Sequence, residues 1–406
     1  MTAHTPQSVG SNWLLADIGG THARFAHAAG DVATLQPIAT YEVARFSSFE
    51  MALAQLLTDW REGCQADPHV TKVCLAVAAD PHQHEISFTN NPWRFTQAQV
   101  AAQTGCSDIQ IVNDFAAVAR SLPAITASDL EQIGDGASQL GQPMVTIGPG
   151  TGCGVATLVF DDAGKAMVLP AEGGHVDFAP TTDNEMKVLR QLRTEFGRVS
   201  IERILSGPGI MNLYRALGEV HQLPITYASP EAVGDAARTG DRLAMESMST
   251  FCSVLGSVAG DLALTIGARG GVFIAGCIAP DYLDLLHQSD FRARFLAKGR
   301  FAAFNRDIAT FIVKHPHPGL LGELGDPERH HADGGEFGES LEDADKSVVE
   351  NVGVVHPRTH HDLTMNFDVM VEKGPKPAQR NRTTTIFQDV GTDLRVGGMD
   401  RHVERR

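Results

Sequence analysis

Twice in this sequence a short apolar run breaks at a glycine-rich turn and then resumes. Residues 13–16 lead into Asp17-Ile18-Gly19-Gly20-Thr21 and residues 23–26 follow; residues 144–147 lead into Gly148-Pro149-Gly150-Thr151-Gly152-Cys153-Gly154 and residues 155–160 follow. Each passage reads as strand, turn, strand, and the recurrence predicts two similar halves. Helical spacing appears at 49–60, 185–196 and 243–264, and buried strands at 73–78, 109–112 and 272–275. The strand at 109–112 runs directly into a helix-like stretch at 114–120. The mixture defines an α/β chain.

The 406 residues suffice for two domains with sizeable cores, and 43% hydrophobic with 20% charged residues is an ordinary globular balance. A formal net charge of −16 without a basic cluster excludes a nucleic-acid surface and favours a small-molecule partner. No run of about 18 apolar residues occurs, and the first twelve residues lack a basic start followed by an apolar stretch, so a cytoplasmic protein with no membrane contact is expected. Cys64, Cys74, Cys106, Cys153, Cys252 and Cys277 stand singly, which indicates neither a protein-held metal nor a disulfide framework.

Glycine turns between strands leave backbone N–H groups free of side-chain bulk, the geometry that cradles phosphate oxygens; they also serve as plain tight turns. Two such turns from two domains could hold one triphosphate between them. Asn113-Asp114, where a strand meets a helix, could project a carboxylate into a cleft or simply cap the helix. Glu172-Gly173-Gly174-His175 places an acid and an imidazole on one soft loop, and Glu202 opens the helical stretch 200–205. Carboxylates with a histidine supply the paired donors and acceptors that sugar hydroxyls need. Separately, each also fits a surface acid or a satisfied histidine.

Together these passages resemble the bacterial glucokinase family, within the actin, hexokinase and Hsp70 superfamily. The resemblance is carried by Ala16-Asp17-Ile18-Gly19-Gly20-Thr21-His22-Ala23-Arg24, Thr89-Asn90-Asn91-Pro92-Trp93, Ile111-Val112-Asn113-Asp114-Phe115, Gly150-Thr151-Gly152-Cys153-Gly154, Glu172-Gly173-Gly174-His175-Val176-Asp177-Phe178-Ala179-Pro180, Leu205-Ser206-Gly207-Pro208-Gly209 and Gly271-Val272-Phe273-Ile274-Ala275-Gly276. It implies a two-domain actin/hexokinase-like (ribonuclease H-like) α/β fold with an interdomain cleft, usually as a homodimer. The small domain would span 11–124 and be completed by about 315–322, with the large domain at 125–314. By the same resemblance Asp114 is the base that takes the proton from the 6-hydroxyl of glucose, and Asn113, Asp114, Glu172, His175 and Glu202 hold the sugar. ATP phosphates would lie on Ala16, Asp17, Ile18, Gly19, Gly20 and Thr21 and on Gly150, Thr151 and Gly152, with Gly276 near the adenosine. Mg2+ would ride on the nucleotide.

Departures from the family pattern are Ala78-Ala79-Asp80 in place of a turn with Cys-Pro, Cys277 in place of a second glycine, and the chain after Gly322. There the family continues into a short apolar helix. Residues 322–406 instead carry 17 acidic and 11 basic side chains, so 323–406 is expected to be an atypical tail that does not pack. A sugar-responsive transcription factor would need a DNA-binding head for which the first strand leaves no room. A kinase for another hexose and a catalytically impaired sugar-binding protein are the remaining alternatives.

Overall fold

The computed structural model describes residues 12–29, 34–64, 69–88 and 90–324. Thr89 and residues 325–406 lie outside them. The first sheet contains β1 (Asn12–Ile18), β2 (His22–Ala29), β3 (Thr34–Glu42), β4 (Lys72–Val77) and, after a two-stranded ribbon of β5 (Glu85–Ser87) and β6 (Arg94–Thr96), β7 (Ile109–Asn113). Its order is β3-β2-β1-β4-β7, antiparallel across the first two pairings and parallel across the last two. Helices α1 (Phe49–Cys64) and α2 (Gln97–Thr104) accompany it, and Leu14, Phe25, Leu53, Leu56, Trp60, Leu75 and Trp93 form its core. The capping box of Thr96 and Gln99 starts α2 at its residue-97 boundary.

The second sheet contains β8 (Leu130–Gln132), β9 (Met144–Pro149), β10 (Cys153–Phe160), β11 (Ala166–Ala171), β12 (Gly271–Ile274) and β13 (Thr310–Val313), ordered β11-β10-β9-β12-β13-β8. From β11 to β13 the pairings are again two antiparallel and then two parallel. The second sheet therefore repeats the first and adds one edge strand, as the recurring hairpin predicts. The expected helices at 185–196 and 243–264 are Asp183–Phe196 and Arg242–Ile266. The latter is long and apolar enough to cross a membrane, but it contributes Phe251, Val254, Leu255 and Ala259 to the core beside the second sheet.

Two elements link the sheets. Helix α3 (Asp114–Ser121) leaves the end of β7 and packs on β9, β10 and β11. The closing helix Pro318–Leu324 packs on α3, β1 and β4, returning the chain to the first sheet. The packed chain thus reaches Leu324, two residues past the expected boundary at 322. Leu320 and Glu323 are 1% and 3% exposed, and the Glu323 carboxylate accepts the N–H groups of Ala16 and Ala76. A charged residue type after Gly322 reads as a break in the apolar pattern, yet here two backbone donors receive it.

Candidate active site

The first glycine turn joins β1 to β2. Gly19 N–H donates to His22 O at 2.9 Å, and the buried Asn91 donates from Nδ2 to Gly19 O while its Oδ1 accepts Trp93 N–H. Asp17 faces Arg24 across the hairpin, with Arg24 Nη1 3.4 Å from Asp17 Oδ2. Burial raises the Asp17 pKa against the lowering pull of Arg24 and His317. Ala16 and Ile18, both expected to touch phosphate, are fully buried within the strand, and the Ala16 N–H is already given to Glu323. They support the turn from behind.

The second turn joins β9 to β10. Gly150 N–H donates to Gly152 O at 2.8 Å, and Gly150 O accepts Gly207 N–H at the start of the helix Gly207–His221. The two turns meet: Thr21 Oγ1 lies 3.3 Å from Thr151 Oγ1. Gly276, at φ 84°, sits at the end of β12 so close to Pro149 O that a side chain there would collide with it. Thus residue 276 lies beside the second turn. Facing hydroxyls, glycine turns without side-chain bulk and the Asp17 carboxylate behind them form a donor set suited to a polyphosphate with its divalent cation.

Asn113 and Asp114 divide the two roles that the sequence left open. Asn113 is the cap of α3, its Oδ1 accepting Ala116 N–H at 3.1 Å. Asp114 occupies the first helical position, and its Oδ1 accepts the N–H of Phe115 at 2.8 Å. Burial, then the negative charges of Asp17 and Glu172, push the Asp114 pKa up to about 7, although the Phe115 N–H pulls it down. A carboxylate that titrates near neutrality is suited to proton abstraction at physiological pH.

On the loop after β11, Glu172 and His175 bracket a short 3-10 turn and are exposed, with His175 Nε2 3.8 Å from Glu172 Oε2. Glu202 lies in the 3-10 turn Ile201–Arg203 rather than in a longer helix, and its Oε2 accepts Cys153 N–H at 3.0 Å. It therefore reaches the second glycine turn as well as the loop that carries it. Four residues beyond the expected set complete the surroundings: Asn91, Phe115, His317 and Glu323. The Asn-Pro-Trp signature was a signal for Asn91, whereas the other three act through contacts between distant parts of the chain.

Duplicated sheets, paired glycine turns and a near-neutral carboxylate beside them define a sugar kinase of the actin-like ATPase fold. The Glucokinase family model matches residues 14–325, and the chain belongs to the glucokinase family. It is 41% identical over 309 residues to a glucokinase of Chromohalobacter salexigens, covering 76% of this chain and 95% of that protein. To a glucokinase of Yersinia pestis it is 38% identical over 310 residues, covering 76% and 94%. The solved glucokinase from an Antarctic psychrotroph superposes with a TM-score of 0.67 at 33% identity, over 78% of this chain and 98% of that one. A ROK family glucokinase from Streptomyces griseus, solved with glucose and AMPPNP, shares the fold with a TM-score of 0.53 at 18% identity, over 77% and 97%.

Proposed function

We propose that the chain transfers the γ-phosphoryl group of Mg-ATP to the 6-hydroxyl of D-glucose, giving glucose 6-phosphate and ADP at the entry to glycolysis. The observation that carries this reading is Asp114, a partly buried carboxylate poised near pH 7 beside two meeting glycine turns. It would accept the hydroxyl proton as that oxygen attacks phosphorus, with no covalent enzyme intermediate. Asn113 has its amide nitrogen to offer a sugar hydroxyl, because among the described residues the helix cap uses its oxygen alone. Glu172, His175 and Glu202 would hold the remaining hydroxyls.

The phosphates would rest on Gly19, Gly20 and Thr21 and on Gly150, Thr151 and Gly152, with the adenosine toward Gly276. When bound on the nucleotide, Mg2+ supplies neutralisation of phosphate charge, and Asp17 is the protein carboxylate available to its water shell. Domains divided near residue 124, the smaller completed by the closing helix, would shut over glucose and exclude water from the γ-phosphate. The protein would work as a cytoplasmic homodimer. Values of kcat/KM for glucose, mannose and fructose with Mg-ATP, and for glucose with ADP or polyphosphate as donor, test the assignment. A preference for another hexose or donor would replace it.

A further inference from the structure

Residue 115 follows the carboxylate just described, yet its side chain belongs to the other half of the molecule. Phe115 stands on α3, which starts from the last strand of the first sheet, and its ring lies against β9 and β10 of the second. Gly148 and Gly154 are direct cross-strand partners in that hairpin, flanking the turn of Gly150, Thr151 and Gly152. A methyl group on Gly148 would come within 2.2 Å of Phe115 Cζ, and one on Gly154 within 1.9 Å of Cδ2. Both glycines lack a side chain where the ring sits. The backbone N–H of the same residue donates to Asp114 Oδ1 at 2.8 Å.

We infer that Phe115 is a positioning residue for phosphoryl transfer: its ring, seated on the Gly148–Gly154 pair, sets the placement of the second phosphate turn relative to the Asp114 carboxylate held by its N–H. The inference rests on the reading of Asp114 as the base. Its physical basis is steric. A planar ring seated over two adjacent strands at positions without side chains has a defined resting place, and the turn and the carboxylate are each tied to it within a few bonds. In-line transfer depends on the separation of the base, the hydroxyl and the γ-phosphate, and an error of about 1 Å can cost 100-fold in rate. Neither glucose nor ATP needs to touch the ring for it to act this way.

The test uses the full chain with Phe115→Leu, Gly148→Ala, the double variant and Asp114→Asn assayed together. Phe115→Leu should lower kcat by roughly 10- to 100-fold while the KM values for glucose and ATP stay within about twofold. Gly148→Ala, which drives a methyl into the Cζ and Cε1 end of the ring, should lose at least as much. The double variant should return to the level of Phe115→Leu alone, since leucine has no atom where Cζ and Cε1 stood and leaves room for the methyl. Unchanged kcat in Phe115→Leu beside an inactive Asp114→Asn would overturn the positioning role. So would log-additive losses in the double variant, or a glucose KM that rises as far as kcat falls. If Phe115→Leu does not fold, Phe115→Met is read by the same criteria. Full turnover in Asp114→Asn would instead remove the base assignment on which the inference stands.

Discussion

Glu202 and Cys153 are joined by a 3.0 Å hydrogen bond from the Cys153 N–H to Glu202 Oε2, so an acid expected to serve the sugar also braces the second glycine turn. Glu172 and His175 make no such contact with a glycine turn among the described residues. Replacing Glu172 or His175 with alanine should raise the KM for glucose far more than that for ATP. Glu202→Ala should raise both, because it removes a proposed hydroxyl acceptor and leaves a backbone donor of the turn unpaired, at about 1–3 kcal/mol. Steady-state kinetics with each substrate varied in turn separate the two patterns. A Glu202→Ala effect confined to glucose would detach Glu202 from the turn.

Asp114→Asn keeps the shape of the site and removes the proposed base, so kcat should fall by roughly 100-fold or more with little change in glucose affinity. For the intact enzyme, the acid limb of kcat/KM should lie near pH 7, activity rising as Asp114 loses its proton. Glu172 is one of the charges that raise this pKa, so Glu172→Gln should move the limb of its residual activity to lower pH. Stability gives a second readout. A carboxyl whose folded pKa is raised stabilises the fold below its unfolded value and loses that contribution as pH rises through about 7. Asp114→Asn should therefore be more stable than the parent at pH 8, the opposite of what removing a helix cap would do.

The fold was largely legible because its strongest signals are local. Apolar runs interrupted at Gly19-Gly20 and at Gly150 to Gly152 disclosed both hairpins, and strand 109–112 running into Asp114 disclosed the β7–α3 junction. Residues 200–205, read as helical, form only the turn Ile201–Arg203, because Ser206 then caps a new helix by accepting Gly209 N–H. The site was legible as a set of residue types but not as contacts. Nothing near residue 16 indicates that its N–H is taken by a carboxylate 307 residues away, and nothing near Gly148 or Gly154 indicates Phe115 above them. Such facts come from tertiary packing, which short-range patterns do not encode.

Gly322 is where the closing helix touches α3. A methyl group there would lie 1.7 Å from Ala117 O, and a backbone oxygen cannot rotate away as a side chain can. Gly322→Ala should destabilise the protein by about 2 kcal/mol in chemical denaturation and lower kcat as well, since α3 carries Asp114. A chain ending at residue 325, where the match to the family model ends, should keep both stability and turnover; one ending at 317 should lose them. Wild-type stability in Gly322→Ala would show that the closing helix can slide without disturbing α3.

Glu323 gives that helix a pH-dependent attachment. Its carboxyl is buried beneath β1 and β4, accepts two N–H groups, and has its pKa raised well above the ordinary value of 4.5, first by burial and then by the charge of Asp17. In the unfolded chain the group ionises near 4.5, whereas in the folded chain it holds its proton to higher pH. Stability from this group is therefore fully present below pH 4.5 and drains away as pH rises through the folded pKa. Thermal denaturation followed from pH 5 to pH 8 should show a falling midpoint, and Glu323→Gln should flatten that fall. It should not abolish it, because the raised pKa values of Asp17 and Asp114 act in the same direction. An equal or steeper fall in Glu323→Gln would mean that Glu323 is ionised in the folded protein and that its two backbone donors outweigh its burial.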